Sequence, residues 1–527
     1  MAASGLALAT TAAGGGSWAL MADAAPGGPE QFVGAALTPA PNADTLANGG
    51  CPVSGQQTHV NVSWTDAQSA VTDASGGPLV SGYTVSRAST AGGPYVTAGS
   101  VIGSPAPTAF ADTPSVPNTP VALVVNTARR AFPLSESSLA LGASITIGRA
   151  SNQVNAIQIS PDGLTAVIAE YTASRVQILT WSGTVWVLAT TLAVNRPTAV
   201  AIDPVPNVSG YYVAYVVSDP GAAVNGSVYP VTLNGASSTL GTAIAVGHQA
   251  NPTAVAITPN GAVVYVANYN SNTVSAITTA TSAVTSIALP GATPQPVALA
   301  TTFDSSHVYA ADRSNSFIDD IRVATNVVAA HISLAAGGLN DTVVTTSGNP
   351  NLLAMLPNGL SLYVAEFGTS EVQVVDTALA PTPDTIAATV STGAGSQPID
   401  LAASPNGCHV YVADRPSNKV LSINTATNVA TSILTTACQT RDPQPMQVTP
   451  DNQYLVVPEN FGCGDVQVLN TANNVVTTIN GVGRAPTMVA VPPVPIWYNT
   501  AATHALWNSD PSIPTLYAVG WNPGGWQ

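Results

Sequence analysis

The residues of this chain best suited to chemistry are carboxylates that recur at one place in a repeat. When its short apolar runs are superposed, the residue ending the second run of each copy is Glu170, Tyr215, Asn268, Asp312, Glu366, Asp414 or Glu459. Five of these seven positions are acidic. Carboxylates gathered about one axis repel one another, which raises some of their pKa values or recruits a cation. The run Asp312 to Asp320, DRSNSFIDD, offers oxygen ligands of the kind calcium takes, and it reads equally as a solvated loop. Calcium is the one cofactor the sequence admits. The histidines, His59, His248, His307, His331, His409 and His504, are scattered, and none pairs with another at i+2, i+3 or i+4. No nucleophile elbow, zinc helix, phosphate loop or dinucleotide fingerprint occurs, so no catalytic residue is assigned.

Four cysteines remain: Cys51, Cys408, Cys438 and Cys463. If each inner strand runs from one face of the domain to the other, Cys438 and Cys463 fall on the same face, and Cys51 falls near Cys408. Pairing as Cys438 with Cys463 and Cys51 with Cys408 is one reading, and four buried thiols is the other.

The elements that must position these groups are short β-branched runs. Asn251 to Pro296 holds TAVAIT, the turn Pro259-Asn260-Gly261, then VVYVAN, TVSAIT and VTSIAL. Period-two alternation bounded by Gly, Pro, Asn and Ser is the pattern of half-buried strands, and four of them joined by tight turns make one small antiparallel sheet. Copies follow throughout. A proline precedes each inner run at Pro197, Pro252, Pro296, Pro350, Pro398, Pro445 and Pro486, and Pro-Asx-Gly turns recur at Pro161, Pro259, Pro357 and Pro405. Proline presets φ and Asn or Gly tolerates the left-handed region, so each copy is a turn with a mechanism. One thin sheet cannot bury both faces, so the copies must stack.

The second run reads YVAN, VYAAD, YVAEF, YVADR and LVVPEN, which resembles the YVTN family of β-propellers over about Ser144 to Pro492. In that repeat the residue ending the run is a short polar side chain that bonds the following loop, so the resemblance implies loop capping for the carboxylate ring. Lactonases and streptogramin-type lyases look similar at the level of a blade. Earlier, HVNVSWT, SGYTVSRAS, GGPYVTAGSV and PVALVVNTA resemble a fibronectin type III domain, with Trp64 and Tyr83 as its core aromatics.

The predicted fold is therefore all-β, a seven-bladed propeller preceded by a fibronectin type III-like sandwich. Ser144 to Gly148 supplies the outer strand of the last blade, and eight blades result if TLYAVGW forms a second strand. The divisions are 1–25, an export or anchor segment or a tail; 26–53, a Pro/Gly/Ala-rich lead-in; 54–142, the sandwich; 143–493, the propeller; and 494–527, a Trp-rich tail packing on it.

Composition narrows the function. Only 7% of the 527 residues are charged, the net charge is −15, and Lys419 is the one lysine, so there is no electrostatic footprint for nucleic acid and anionic lipid is repelled. Contact with a membrane is expected only through the N-terminal segment, if it is retained. Mean hydropathy of +0.26 comes from Ala, Val and Ile at strand spacing, with no membrane-length run in the body. The reading these features favour is a non-enzymatic extracellular or cell-surface protein, structural or adhesive, presenting its propeller to protein or glycan or to further copies of itself. The alternatives are a metal-dependent, lactonase-like propeller hydrolase or lyase using the carboxylate ring, and a pilus-like or filament subunit.

Overall fold

The computed structural model of the chain describes residues 122–492 except for short interior stretches, the longest 340–351, together with the backbone of strands between 18 and 112 and between 497 and 519. Residues 122–492 form eight antiparallel sheets in a ring, a β-propeller. Seven blades are contiguous in sequence. Blade 4, for example, is Pro296–Thr301, His307–Asp312, Phe317–Arg322 and Val327–Ser333 from hub to rim. Blade 5 carries its last three strands at Ser361–Glu366, Glu371–Asp376 and Thr385–Ser391, and blade 6 its second and third at His409–Asp414 and Lys419–Asn424.

The eighth blade joins the two ends of the ring and corrects the expected count of seven. Its inner strand is Pro486–Ala490, and its outer three are Ala122–Asn126, Arg130–Leu134 and Ile145–Thr146. Met488 pairs with Val125, Asn126 donates its side-chain amide to the Val482 carbonyl at 2.6 Å, and Thr127 N–H donates to the Ala485 carbonyl. Residues 122–134 therefore belong to the ring and not to the preceding sandwich. All five residues of ALVVN are buried, as expected of a strand covered on both faces. TLYAVGW adds nothing to the ring. Tyr517–Val519 pairs with Trp497–His504, which pairs with Gly82–Ala88 in a separate sheet. Another sheet holds Thr45–Leu46, Val60–Ser63 and Ala109–Asp112. Most of the fibronectin type III-like sandwich expected over 54–142 lies outside the described residues. Trp64 lies outside the described residues.

The prolines act at the hub. Five of them, Pro197, Pro252, Pro296, Pro398 and Pro486, start an inner strand, lack an N–H, and are followed by a one-residue irregularity in register, as at Pro197/Ala199, Pro252/Ala254, Pro296/Ala298, Pro398/Asp400 and Pro486/Met488. The residue set loose by the bulge reaches the next blade. Thr198 Oγ1 donates to the Pro252 carbonyl at 3.1 Å and Thr253 Oγ1 to the Pro296 carbonyl at 3.0 Å. Further round, Asp400 accepts from Met446 N–H and Gln447 from Val491 N–H.

Between blades the bulk comes from tyrosines. Tyr265, Tyr309, Tyr363 and Tyr411 recur at the third residue of the second strand and are the largest fully buried side chains. A buried phenol must place its hydroxyl. Tyr265 donates to Asn326 at 2.8 Å and Tyr363 to Asn428 at 2.7 Å, each asparagine lying in the hairpin between the third and fourth strands of the next blade. Tyr363→Phe keeps the ring and deletes one such clasp. It is expected to cost about 1 kcal/mol in chemical denaturation with an unchanged m-value.

Candidate functional site

Four of the five ring carboxylates are engaged by groups of their own blades. Glu170 is buried in an ion pair with Arg175 at 2.9 Å. Asp312 accepts from Gln295 N–H, Ser314 N–H and the Asn315 side-chain amide, Asp414 from Gln397 N–H and the Ser417 hydroxyl, and Glu366 from the Thr369 hydroxyl. Glu459 is buried at the same level of blade 7. In blades 4 and 6 the acid ties the end of the second strand to the residue just before the inner proline. Among the described residues no three His, Cys, Asp or Glu side chains form a metal-ligating group. Cys408 is disulfide-bonded and buried, whereas Cys51, Cys438 and Cys463 lie outside the described residues.

The acidic run Asp312 to Asp320 is divided by the fold. Asp312 ends the second strand of blade 4, while Asp319 and Asp320 lie inside the third, where adjacent side chains take opposite faces. Asp320 pairs in register with Tyr309, whose ring packs in the core shared with blade 5. Asp319 pairs with Ala310, which packs in the core shared with blade 3. Asp319 thus shares its face with Asp312, whose charge reaches it, while Asp320 faces the other way.

Asp319 and Asp320 each hold a histidine. His307 Nδ1 lies 2.7 Å from Asp320 Oδ1, with side-chain exposures of 14% and 4%. On the other face His331 Nδ1 lies 2.5 Å from Asp319 Oδ1, and its ring stacks on Phe317 at 3.8 Å. Burial pushes the Asp319 carboxyl up, against the pull of His331.

Around His307 the setting is richer. Its ring lies nearly parallel to that of Tyr309, with centroids 6.3 Å apart, and Tyr309 donates its hydroxyl to Asp384 of blade 5 at 3.0 Å. Asp304, in the first hairpin of blade 4, accepts from the Thr302 and Ser306 hydroxyls. Burial works against ionised Asp304, but these bonds together overcome it and hold its carboxyl below the usual range. The hydrogen bond to Asp320 raises His307, burial opposes it, and the charges of Asp320, Asp384 and Asp304 add to the rise. Asp384 is raised by burial, with the Tyr309 bond pulling the other way.

Blade 6 supplies an internal comparison. His409 holds the same strand position as His307 and lies beside Tyr411 at 6.2 Å, but its Nδ1 meets the Ser422 hydroxyl at 2.9 Å where blade 4 has Asp320. Its Nε2 is buried without a hydrogen-bond partner. Burial alone lowers His409 to about 4. One framework thus yields a neutral core histidine in blade 6 and a chargeable, carboxylate-bound one in blade 4. The signal that sequence reading passed over is the repeated His-Val-Tyr of HVYAAD and HVYVAD, followed thirteen residues after the histidine by Asp320 in one copy and Ser422 in the other.

No known family profile matches the chain, and no curated protein matches it. Among solved structures it is similar to the dihydro-heme d1 dehydrogenase NirN, with 13% identity over 71% of this chain and 76% of that one and a TM-score of 0.55. It is also similar to two proteins titled "putative 6-phosphogluconolactonase". That from Bacteroides uniformis has 17% identity over 62% of this chain and 98% of that one at a TM-score of 0.45. That from Bacteroides fragilis has 14% identity over 71% and 99% at 0.46. The first of these likenesses shows a shared fold. The expectation of a non-enzymatic structural or adhesive protein is corrected here, since the solved structure that the chain matches at a TM-score above 0.5 is titled as a dehydrogenase, a likeness that itself shows fold alone.

Ser422→Asp rebuilds the blade 4 arrangement in blade 6. The His409 titration midpoint, read by NMR of the imidazole, is expected to rise from about 4 toward and beyond the ordinary histidine value.

Proposed function

We propose that the chain is an enzymatic propeller, a hydrolase of the lactonase-like kind, that cleaves esters or lactones by acid–base catalysis at His307. The observation that carries this reading is the His307–Asp320 pair, set at one end of blade 4 and tuned opposite to its counterpart in blade 6. Asp320 accepts from Nδ1–H and fixes the tautomer, which leaves Nε2 as the base. Nε2 takes a proton from water as the water oxygen attacks the carbonyl carbon. The resulting imidazolium, stabilised by Asp320, returns the proton to the leaving alkoxide as the tetrahedral intermediate collapses. Four of the ring carboxylates are engaged within their own blades, and the reading runs through this histidine.

The surroundings favour an uncharged substrate. The hairpins joining first to second and third to fourth strands share one face of the disc, the face on which His307 lies. That face carries exposed Leu164, Phe303, Leu360, Val327, Val429 and Val475. The strand motif supports kinship with the YVTN repeat, and the Cys408 disulfide supports an exported, oxidising location.

The test is a panel of neutral esters and lactones assayed with the full chain. His307→Gln is expected to lower kcat/KM by about 10²–10⁴-fold, while His409→Gln acts on stability alone. Because the base form is required and the His307 midpoint is raised, the acidic limb of the kcat/KM profile is expected above the ordinary histidine value of 6.5. Activity in His307→Gln within about twofold of the parent would remove His307 from the mechanism.

A further inference from the structure

Three seams of the ring present the same tyrosine to the same place on the next blade, and one of them departs from the others. Tyr265 donates to Asn326, Tyr363 to Asn428, and Tyr309 to Asp384, in each case the residue just before the fourth strand of the next blade. Asn326 and Asn428 sit in tight turns at φ 53°, the left-handed region where asparagine is tolerated best. Asp384 is not among the positive-φ residues and has no such requirement. An asparagine meets the need of the tyrosine hydroxyl at the other two seams. The one exception falls at the seam where the second strand also carries a histidine bound to a carboxylate.

We propose that Asp384 is a positioning residue for His307, acting across the seam through Tyr309 to hold the His307–Asp320 pair in its charged, oriented form. Its catalytic meaning rests on the function proposed above; its action on His307 does not. The groups facing His307 are Asp320 from the third strand, Asp304 from the first hairpin, Asp384 from blade 5, and Arg322, which is its register partner. Asp376 of blade 5 acts in turn on Asp384. Asp320 fixes Nδ1 from within the blade. Asp384 supplies a second negative charge from the neighbouring blade and, by holding the Tyr309 hydroxyl, keeps the ring beside the imidazole in place. The proton affinity of His307 therefore depends on how blades 4 and 5 are seated.

The repeat supplies its own structure-neutral replacement. Asp384→Asn, with Asp384→Ser as a second variant, is titrated in the full chain by NMR of the histidine side chains, the His307 signal being assigned by its loss in His307→Gln. The expected result is a folded protein in which the His307 midpoint moves down and that of His409 stays put. The acidic limb of the hydrolysis profile moves down with His307, because more acid is then needed to protonate it. A His307 midpoint that does not move, or that rises, overturns the proposal. So does unfolding of both variants, which would make Asp384 a matter of stability alone. A lowered midpoint in a protein that hydrolyses nothing on the panel upholds the action of Asp384 on His307 and rejects the proposed hydrolysis.

Discussion

Each seam between blades must bury a large ring and still satisfy its hydroxyl. The second strand of a blade is covered on both sides, so a tyrosine there packs its six-membered face against the neighbouring sheet and has no route to water. An unpaired phenol at that depth costs on the order of 1–3 kcal/mol, and the asparagine at the turn of the next blade removes the cost. The partner lies one blade on, so the bond forms only when two blades stand at the right distance and rotation. Tyr265, Tyr309 and Tyr363 thereby measure the seam as well as fill it. At the hub Thr198 and Thr253 do the same with a hydroxyl freed by the bulge after each proline.

A repeat built on this constraint allows chemistry only where it permits a variation. The position after the first hairpin is solvent-edged enough for a histidine, and the facing residue of the third strand decides what that histidine becomes. With Ser422 it is a neutral piece of core. With Asp320 it binds and releases a proton. Both share the ring geometry with the tyrosine two residues on, so the difference lies in one side chain.

Much of the fold was legible in sequence because it is written locally. Prolines before inner strands, Pro-Asx-Gly turns and the Tyr-containing second strands each carry their reason within a few residues. The blade count was not. The strand that receives Pro486–Ala490 lies some 360 residues earlier, and ALVVN alternates no differently from a sandwich strand. The site was hidden for a similar reason. His307 and Asp320 meet across a hairpin thirteen residues long, and Asp384 is 75 residues from Tyr309, so no spacing rule for helical or metal-binding pairs would bring them together. The acidic ring was conspicuous because it recurs, and recurrence in a repeat marks what every blade needs.

The eighth blade takes its hub strand from the late part of the chain and its three outer strands from the early part. During synthesis on the ribosome, Ala122–Asn126 is made first and waits, with one edge unpaired, until Ala490 has emerged. Seven blades can meanwhile stack as an arc, but the gap stays open, and an unpatched strand edge invites pairing with a neighbouring nascent chain. A cell making this protein would therefore need to shield that edge throughout elongation, and any message truncated before codon 486 would yield a product exposed in the same place.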